Sequence, residues 1–269
     1  ELVYQNHPRR LAWDEAMYDA VDINKAAAFY TSRFASREDM TAVFVGNIDT
    51  AELKVLTETY LAPLTNDAAS VSWRDVGASR RPGVNVHTFT AGKEDKARVE
   101  LTFHGPFSKN RANDFIRGQL VQALRKTLRL SLREENSGTY GVGVSSGSYW
   151  VPQEEYRLSI SFTCASARAQ ELTELMWVEL QKIKAEPLSA ALINDLKNAA
   201  RKDHEKRLRT NGFWASGLDW RLRYDHPLDD ILRQEEYIDA LTPQQIQQMA
   251  QELINESQYT QFTWVPEQE

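Results

Sequence analysis

A block that recurs at domain-sized spacing constrains a fold more than any local motif, because both copies must satisfy the same packing. The block DAVDINKAAAFYTSRFASREDMTAVFVGN begins at Asp19, and DALTPQQIQQMAQELINESQYTQFTWVPE begins at Asp239, an offset of 220 residues. At that offset Asp19 meets Asp239, Ala20 meets Ala240, Val21 meets Leu241, Phe29 meets Met249, Phe34 meets Ile254, Phe44 meets Trp264 and Val45 meets Val265. A His-Pro pair precedes each block, at His7-Pro8 and His226-Pro227. The order of features repeats too: loop, amphipathic helix, short polar turn, apolar strand. The chain therefore reads as the tail of one repeat, residues 1–66, followed by a nearly complete repeat of domain length, residues 84–269. Between them, TNDAASVSWRDVGASRRPGVN (65–85) is rich in Ser, Asn, Asp, Gly and Pro, and 67–83 has the composition of a linker.

Periodicity fills in the second repeat. Val84 to Phe89 and Ala97 to Phe103 read as strands, with Val99, Leu101 and Phe103 alternating onto one face. A long helix follows from about Asn113, striped by Ile116, Leu120, Leu124 and Leu128. Asn136-Ser137-Gly138 stops it, glycine being suited to the left-handed conformation after a helix. Tyr140 to Ser145 and Arg157 to Thr163 are expected strands, and helices are expected near 167–185, 188–209, 213–223, 229–239 and 243–255, the last opened by Pro243. Strands grouped ahead of helices predict an α+β layer fold, a sheet covered by helices on one face.

Composition narrows the function classes. At 269 residues and 42% hydrophobic, the chain holds enough apolar side chains for a real core. Its 32 basic and 38 acidic residues give a net charge of −6 with no basic stripe, which argues against nucleic acid as a partner. Cys164 is the one cysteine, so no disulfide and no cysteine-rich zinc site can form within the chain. No apolar run reaches the roughly 18 residues of a membrane span, no signal-peptide pattern opens the chain, and no membrane partner is expected. The abrupt start without Met suggests a mature product or an excised fragment.

Several chemistries can be weighed residue by residue. Gly143-Val144-Ser145-Ser146-Gly147 spells G-x-S-x-G, but a nucleophile elbow needs a helix directly after the serine, and Ser148-Tyr149-Trp150-Val151-Pro152 has little helical character. A glycine-bearing strand and turn is the plainer reading. The histidines are His7, His87, His104, His204 and His226, and no two stand four apart, the spacing that brings two imidazoles onto one helical face. His204-Glu205 begins like H-E-x-x-H, but Leu208 occupies the second ligand position; Asp229 and Asp230 spoil the inverse pattern after His226. Glu134 and Glu135 lie about 100° apart on a helix and read as solvated rather than as an acid/base pair. Arg133 and Tyr140 stand out, one ending a helix and the other opening the next strand. A tight turn between them places a cation and a phenol on one side of a cleft. The alternatives are an arginine complementing the helix dipole and a tyrosine packed beside Val142 and Val144. Gly141 and Gly143 fall on the opposite strand face, open to another backbone.

AFYTSRFASREDMTAVFVGNIDTAELKVLTETYLAPL (28–64), REENSGTYGVGVSS (133–146), RTNGFW (209–214) and DALTPQQIQQMAQELI (239–254) occur in an order that resembles the pitrilysin, or insulinase, family of zinc metallopeptidases. The resemblance spans almost the whole chain. It implies tandem homologous sheet-plus-helix domains of the zinc processing-peptidase type, with the first one truncated here: the end of the third domain and the fourth, of the long single-chain bacterial type. In the family, two halves enclose a chamber, and zinc is held in the first domain by H-x-x-E-H and a downstream Glu, a motif absent from this chain. The resemblance therefore implies an inactive C-terminal half whose partners are the N-terminal catalytic half of the same polypeptide and a peptide or small-protein substrate. Zinc belongs to the parent enzyme and no cofactor to this chain. Arg133 and Tyr140 would reach the substrate near the scissile peptide, and the compartment would be the periplasm. A non-peptidase scaffold of the same superfamily is the alternative, and a free-standing peptide-binding module using a sheet edge is a third.

Overall fold

Alternating side chains along two strands divide the sheet into a core face and an open face. The computed structural model describes residues 1–34, 40–64, 73–139 and 141–267. They form two compact units: 1–10, 75–200 and 236–269 in the first, 11–74 and 201–235 in the second. Among the described residues the strands are β1 (Val84–Thr90), β2 (Ala97–Pro106), β3 (Gly141–Tyr149), β4 (Glu155–Cys164) and β5 (Tyr259–Val265). The helices are α1 (Glu15–Asp19), α2 (Ile23–Phe34), α3 (Thr50–Tyr60), α4 (Arg111–Arg129), α5 (Ala169–Ala185), α6 (Ala190–Arg207), α7 (Asn211–Arg223), α8 (Gln234–Ala240) and α9 (Pro243–Leu253). This is the α+β class that the element order predicted.

All five strands belong to the first unit and lie in the order β1-β5-β2-β4-β3, β1 and β5 parallel and every other neighbouring pair antiparallel. The long ladder runs from Ala97 opposite Cys164 to Pro106 opposite Glu155. Val99, Leu101 and Phe103 of β2 and Leu158, Ile160 and Phe162 of β4 are fully or almost fully buried. Period two sends the residues between them to the other face. Helices α4, α5 and α9 cover the apolar face. In α4 the expected stripe is completely buried at Leu120, Leu124 and Leu128 and partly buried at Ile116, and Asn110 caps the helix by accepting from the Asn113 amide. Phe103 sits where these layers meet, edge-on to Trp177 of α5 at 5.7 Å and tilted against Tyr259 of β5 at 5.9 Å.

The repeated blocks begin alike. Thr242 caps α9 through a capping box with Gln245, and Pro243 is the first helical residue. At the same offset Asp22 accepts from the amides of Asn24 and Lys25 at the start of α2. They end differently. The second block closes in β5, as expected, whereas residues 40–45 of the first carry no strand. A strand is a ladder with a neighbour, and among the described residues the second unit holds no other strand to supply one.

That second unit has little interior among its described residues. α2 and α3 bury none of their side chains. Its buried pair is Arg221 of α7, which donates to Gly217 O (2.9 Å) and Asp230 (3.2 Å), and Ile231 of the 3-10 turn Leu228–Leu232.

Truncating Phe103 to alanine leaves a cavity where sheet and helices meet, and we expect a loss of about 3–5 kcal/mol in denaturant unfolding of the first unit. A loss below about 1 kcal/mol would place the packing centre elsewhere.

Candidate functional site

The join between α4 and β3 carries the residues singled out in the sequence. After Arg129 the helix widens into one π-helical turn, Leu130–Glu135, with Leu132 buried and Arg133 exposed. The amide of Ser137 donates to Arg133 O (3.0 Å) and that of Gly138 to Leu132 O (2.9 Å). This is the two-bond ending of an α-helix with each bond one residue wider, which matches the π turn before it. The left-handed residue is Ser137, at φ 47°, and not Gly138. Gly138 is needed for space: a Cβ there would run into the Leu172 methyls and lie 3.1 Å from Leu132 O. The buried Thr139 hydroxyl then donates within reach of two carbonyls, Gly141 O at 3.0 Å and Thr163 O at 2.7 Å, anchoring the start of β3.

Arg133 thus projects from a rigidly built turn, and among the described residues its guanidinium has no hydrogen-bond or ion-pair partner. Tyr140 lies outside the described residues. Glu134, half exposed, accepts from Arg129 at 3.1 Å, as a solvated surface pair. Ser145 lies in mid-strand opposite Ser159, β3 runs unbroken to Tyr149, and no helix follows it, so the G-x-S-x-G letters form no nucleophile elbow. Among the described residues no cluster of three or more His, Cys, Asp or Glu side chains could hold a metal ion. The described residues offer no ligand set that fits zinc.

Sequence reasoning missed a second feature, the open face of the sheet. A cavity of about 600 Å³ lies there. Among the described residues four arginines, Arg80, Arg98, Arg125 and Arg157, line it against a single carboxylate, Glu100. Gly143 and Ser145 contribute to its lining, so the glycine-bearing strand does face open space. The signal was present as the polar half of the alternation, Arg98-Glu100-Thr102 and Arg157-Ser159-Ser161. Next to it, His104 is buried, and burial together with the charge of Arg80 holds its imidazole below the ordinary value despite a bond to the Arg81 backbone.

Residues 20–200 match the family described as the peptidase M16 inactive domain, well over half of the chain. The chain belongs to that family. A curated relative, the probable zinc protease PqqL of Haemophilus influenzae, is 26% identical over 186 residues, 65% of this chain and 18% of that protein. The crystal structure of the periplasmic protease PqqL from Escherichia coli shares the fold at a TM-score of 0.81 and 20% identity, covering 95% of this chain and 28% of the other. The peptidase M16 inactive domain from Pseudomonas fluorescens gives 0.76 at 15% identity, over 99% of this chain and 63% of the other. The M16 chain therefore spans about a fifth of the curated relative it matches.

In this M16 domain the far end of β3 is tied to α4 by a buried ionic network. Asp114 accepts from Lys109 (2.8 Å), from Arg117 (3.0 Å) and from Ser148; Lys109 also donates to Ser148 (2.7 Å), and Arg117 to Ser146. The Lys109, Arg117 and Asp114 side chains are 9%, 14% and 20% exposed. Burial alone would raise the Asp114 carboxyl, but the bonds from Lys109 and Ser148 and the two positive charges outweigh it and hold it below the usual carboxylate range. A depressed folded-state value contributes stability above the unfolded value of about 3.9 and loses it as pH falls through the folded one. Asp114→Asn leaves two buried cations uncompensated, so at neutral pH a loss of about 3–5 kcal/mol is expected in chemical unfolding. The gap to the parent chain should close below pH 4; a gap independent of pH would rule the carboxylate out as its source.

Proposed function

We propose that this chain is the non-zinc-binding C-terminal half of a zinc metalloendopeptidase, contributing peptide contacts to a closed chamber and hydrolysing nothing alone. The observation that carries the reading is the match of residues 20–200 to an M16 domain described as inactive. The PqqL relative's description as a probable zinc protease supports zinc in the parent polypeptide, bound by residues outside this chain. The description of the E. coli structure as periplasmic supports the same compartment here, and no helix among the described residues is long and apolar enough to cross a membrane.

Within this reading, residues 1–66 are the end of a preceding homologous domain, 67–83 a linker and 84–269 the final domain. Support comes from equivalent positions of the two blocks. Leu241, Met249 and Ile254 are at most 5% exposed, while Val21, Phe29 and Phe34 at the same offset are 63%, 62% and 67% exposed. Such a face is built to pack on a sheet like the one α9 covers. Its partner would be the rest of the preceding domain.

Arg133 holds a substrate carbonyl oxygen by charge-assisted donation, and Tyr140 donates a hydrogen bond to the peptide group being cleaved. The full polypeptide tests both. Tyr140→Phe removes one donor and should lower kcat on a quenched fluorogenic peptide on the order of a hundredfold, about 3 kcal/mol. Arg133→Ala should mainly raise KM. Unchanged kinetics in both variants would sink the roles, and a full polypeptide that cleaves no peptide would favour the scaffold reading.

A further inference from the structure

The cavity on the open face of the first unit's sheet is unusual for a chain of net charge −6: among the described residues four guanidinium groups line it and one carboxylate does. Two of the four are already committed. Arg98 pairs with Glu100 at 3.3 Å, and Arg125 donates to Val144 O through Nε (2.8 Å) and Nη2 (2.6 Å). Arg80 lies over the Tyr4 ring at 5.0 Å, and among the described residues neither Arg80 nor Arg157 has a carboxylate partner. The Nε of Arg157 is buried without a hydrogen-bond acceptor among the described residues. A buried N–H of a cation left unpaired is costly, and the group that satisfies it best is a carboxylate, whose two oxygens match the guanidinium fork.

The opposite end of the cavity is aromatic. Phe262 lines it, packed against Phe89 at 5.8 Å and Trp264 at 5.7 Å. Arg157 stands level with His104 of β2, and Phe262 with Glu100, four residues along the strand. That separation is about 13 Å at the rise of a strand. Between the two ends the lining is Thr102, Ser159 and Thr260, small hydroxyls that donate and accept without filling space.

We propose that this face binds extended peptides bearing acidic side chains, the carboxylate at the Arg80 and Arg157 end and an apolar side chain on the aromatic end. This rests on the reading of the chain as a peptide-contacting half and adds to it a substrate class. Charge complementarity selects the occupant. Glu100, the lone negative group, is held by Arg98 and leaves the other end uniformly positive.

The test is fluorescence anisotropy of this chain with two end-blocked peptides of equal length, alike except that glutamates in one are glutamines in the other. The glutamate peptide should bind about tenfold tighter, the scale of one charge-assisted hydrogen bond, and the ratio should shrink as salt is raised. Arg157→Gln should abolish most of the preference. Glu100→Gln, which removes the opposing carboxylate from a partly exposed position, should increase it, and remains informative if the Arg157 variant fails to fold by its melting curve. Equal affinities, no binding of either peptide, or a preference indifferent to both substitutions overturns the proposal. Since the readout is binding to this chain, loss of cleavage by the full polypeptide with selectivity intact counts against the peptidase reading alone. Cleavage without selectivity counts against this inference alone.

Discussion

The ladder between β2 and β4 is the constraint on which the first unit depends. Its register places every second residue of both strands against α4, α5 and α9 and sends the others to the open face. A slip of one residue would exchange Val99, Leu101 and Phe103 for Arg98, Glu100 and Thr102, burying two charges and exposing the core. The helical layer and the charged face are thus consequences of one pairing. The arginines need not pack well to be held in place, because the residues between them do.

The second constraint is the turn of chain from α4 into β3. An α-helix ending in the usual way would close its last bonds one residue earlier; the π turn inserts that residue and leaves Arg133 outward while Leu132 stays in the core. Ser137 takes the left-handed conformation, Gly138 vacates the volume that Leu172 fills, and Thr139 fastens the strand to β4. At the far end, Lys109, Asp114 and Arg117 fix the same helix to the same strand. β3 is therefore an edge strand held at both ends and capped in its middle by Arg125 on Val144 O, an arrangement that protects an edge from unspecific pairing.

What was legible in the sequence was local. The alternation in β2 and β4, the leucine stripe of α4 and the Pro243 start of α9 all follow from rules reaching four residues or fewer, and each element stands where those rules put it. The stop at 136–138 was legible too, but its mechanism was not: glycine suggested the left-handed residue, while the structure uses Ser137 for that and Gly138 for a close approach to Leu172, a contact 34 residues away in the chain. The Asp114 network was invisible for the same reason, and of the arginine cavity only the polar half of each strand's alternation could be read. Their members come from different elements, and no periodicity links Lys109 to Ser148 or Arg80 to Arg157. Of the two residues picked for the site, Arg133 is exposed at the end of its helix and Tyr140 lies outside the described residues.

The repeated block shows how far pattern reaches. Both copies open with a side-chain cap at the same offset and wind an amphipathic helix whose apolar positions coincide, yet one copy buries them and the other leaves them in water. Burying a side chain the size of Val21, Phe29 or Phe34 contributes about 1.5–3 kcal/mol each, so a sheet laid against α2 would gain several kcal/mol without any change in the helix. Periodicity specifies which face of a helix is apolar, and only the neighbouring surface decides whether that face becomes core. A strand is more dependent still: Phe44 and Val45 carry the same apolar character as Trp264 and Val265, but the latter have β1 and β2 to bond with, and residues 40–45 take no strand form. The helix in the first block is autonomous because its hydrogen bonds are internal. The strand is not: its hydrogen bonds need a neighbouring strand, and among the described residues the second unit offers none.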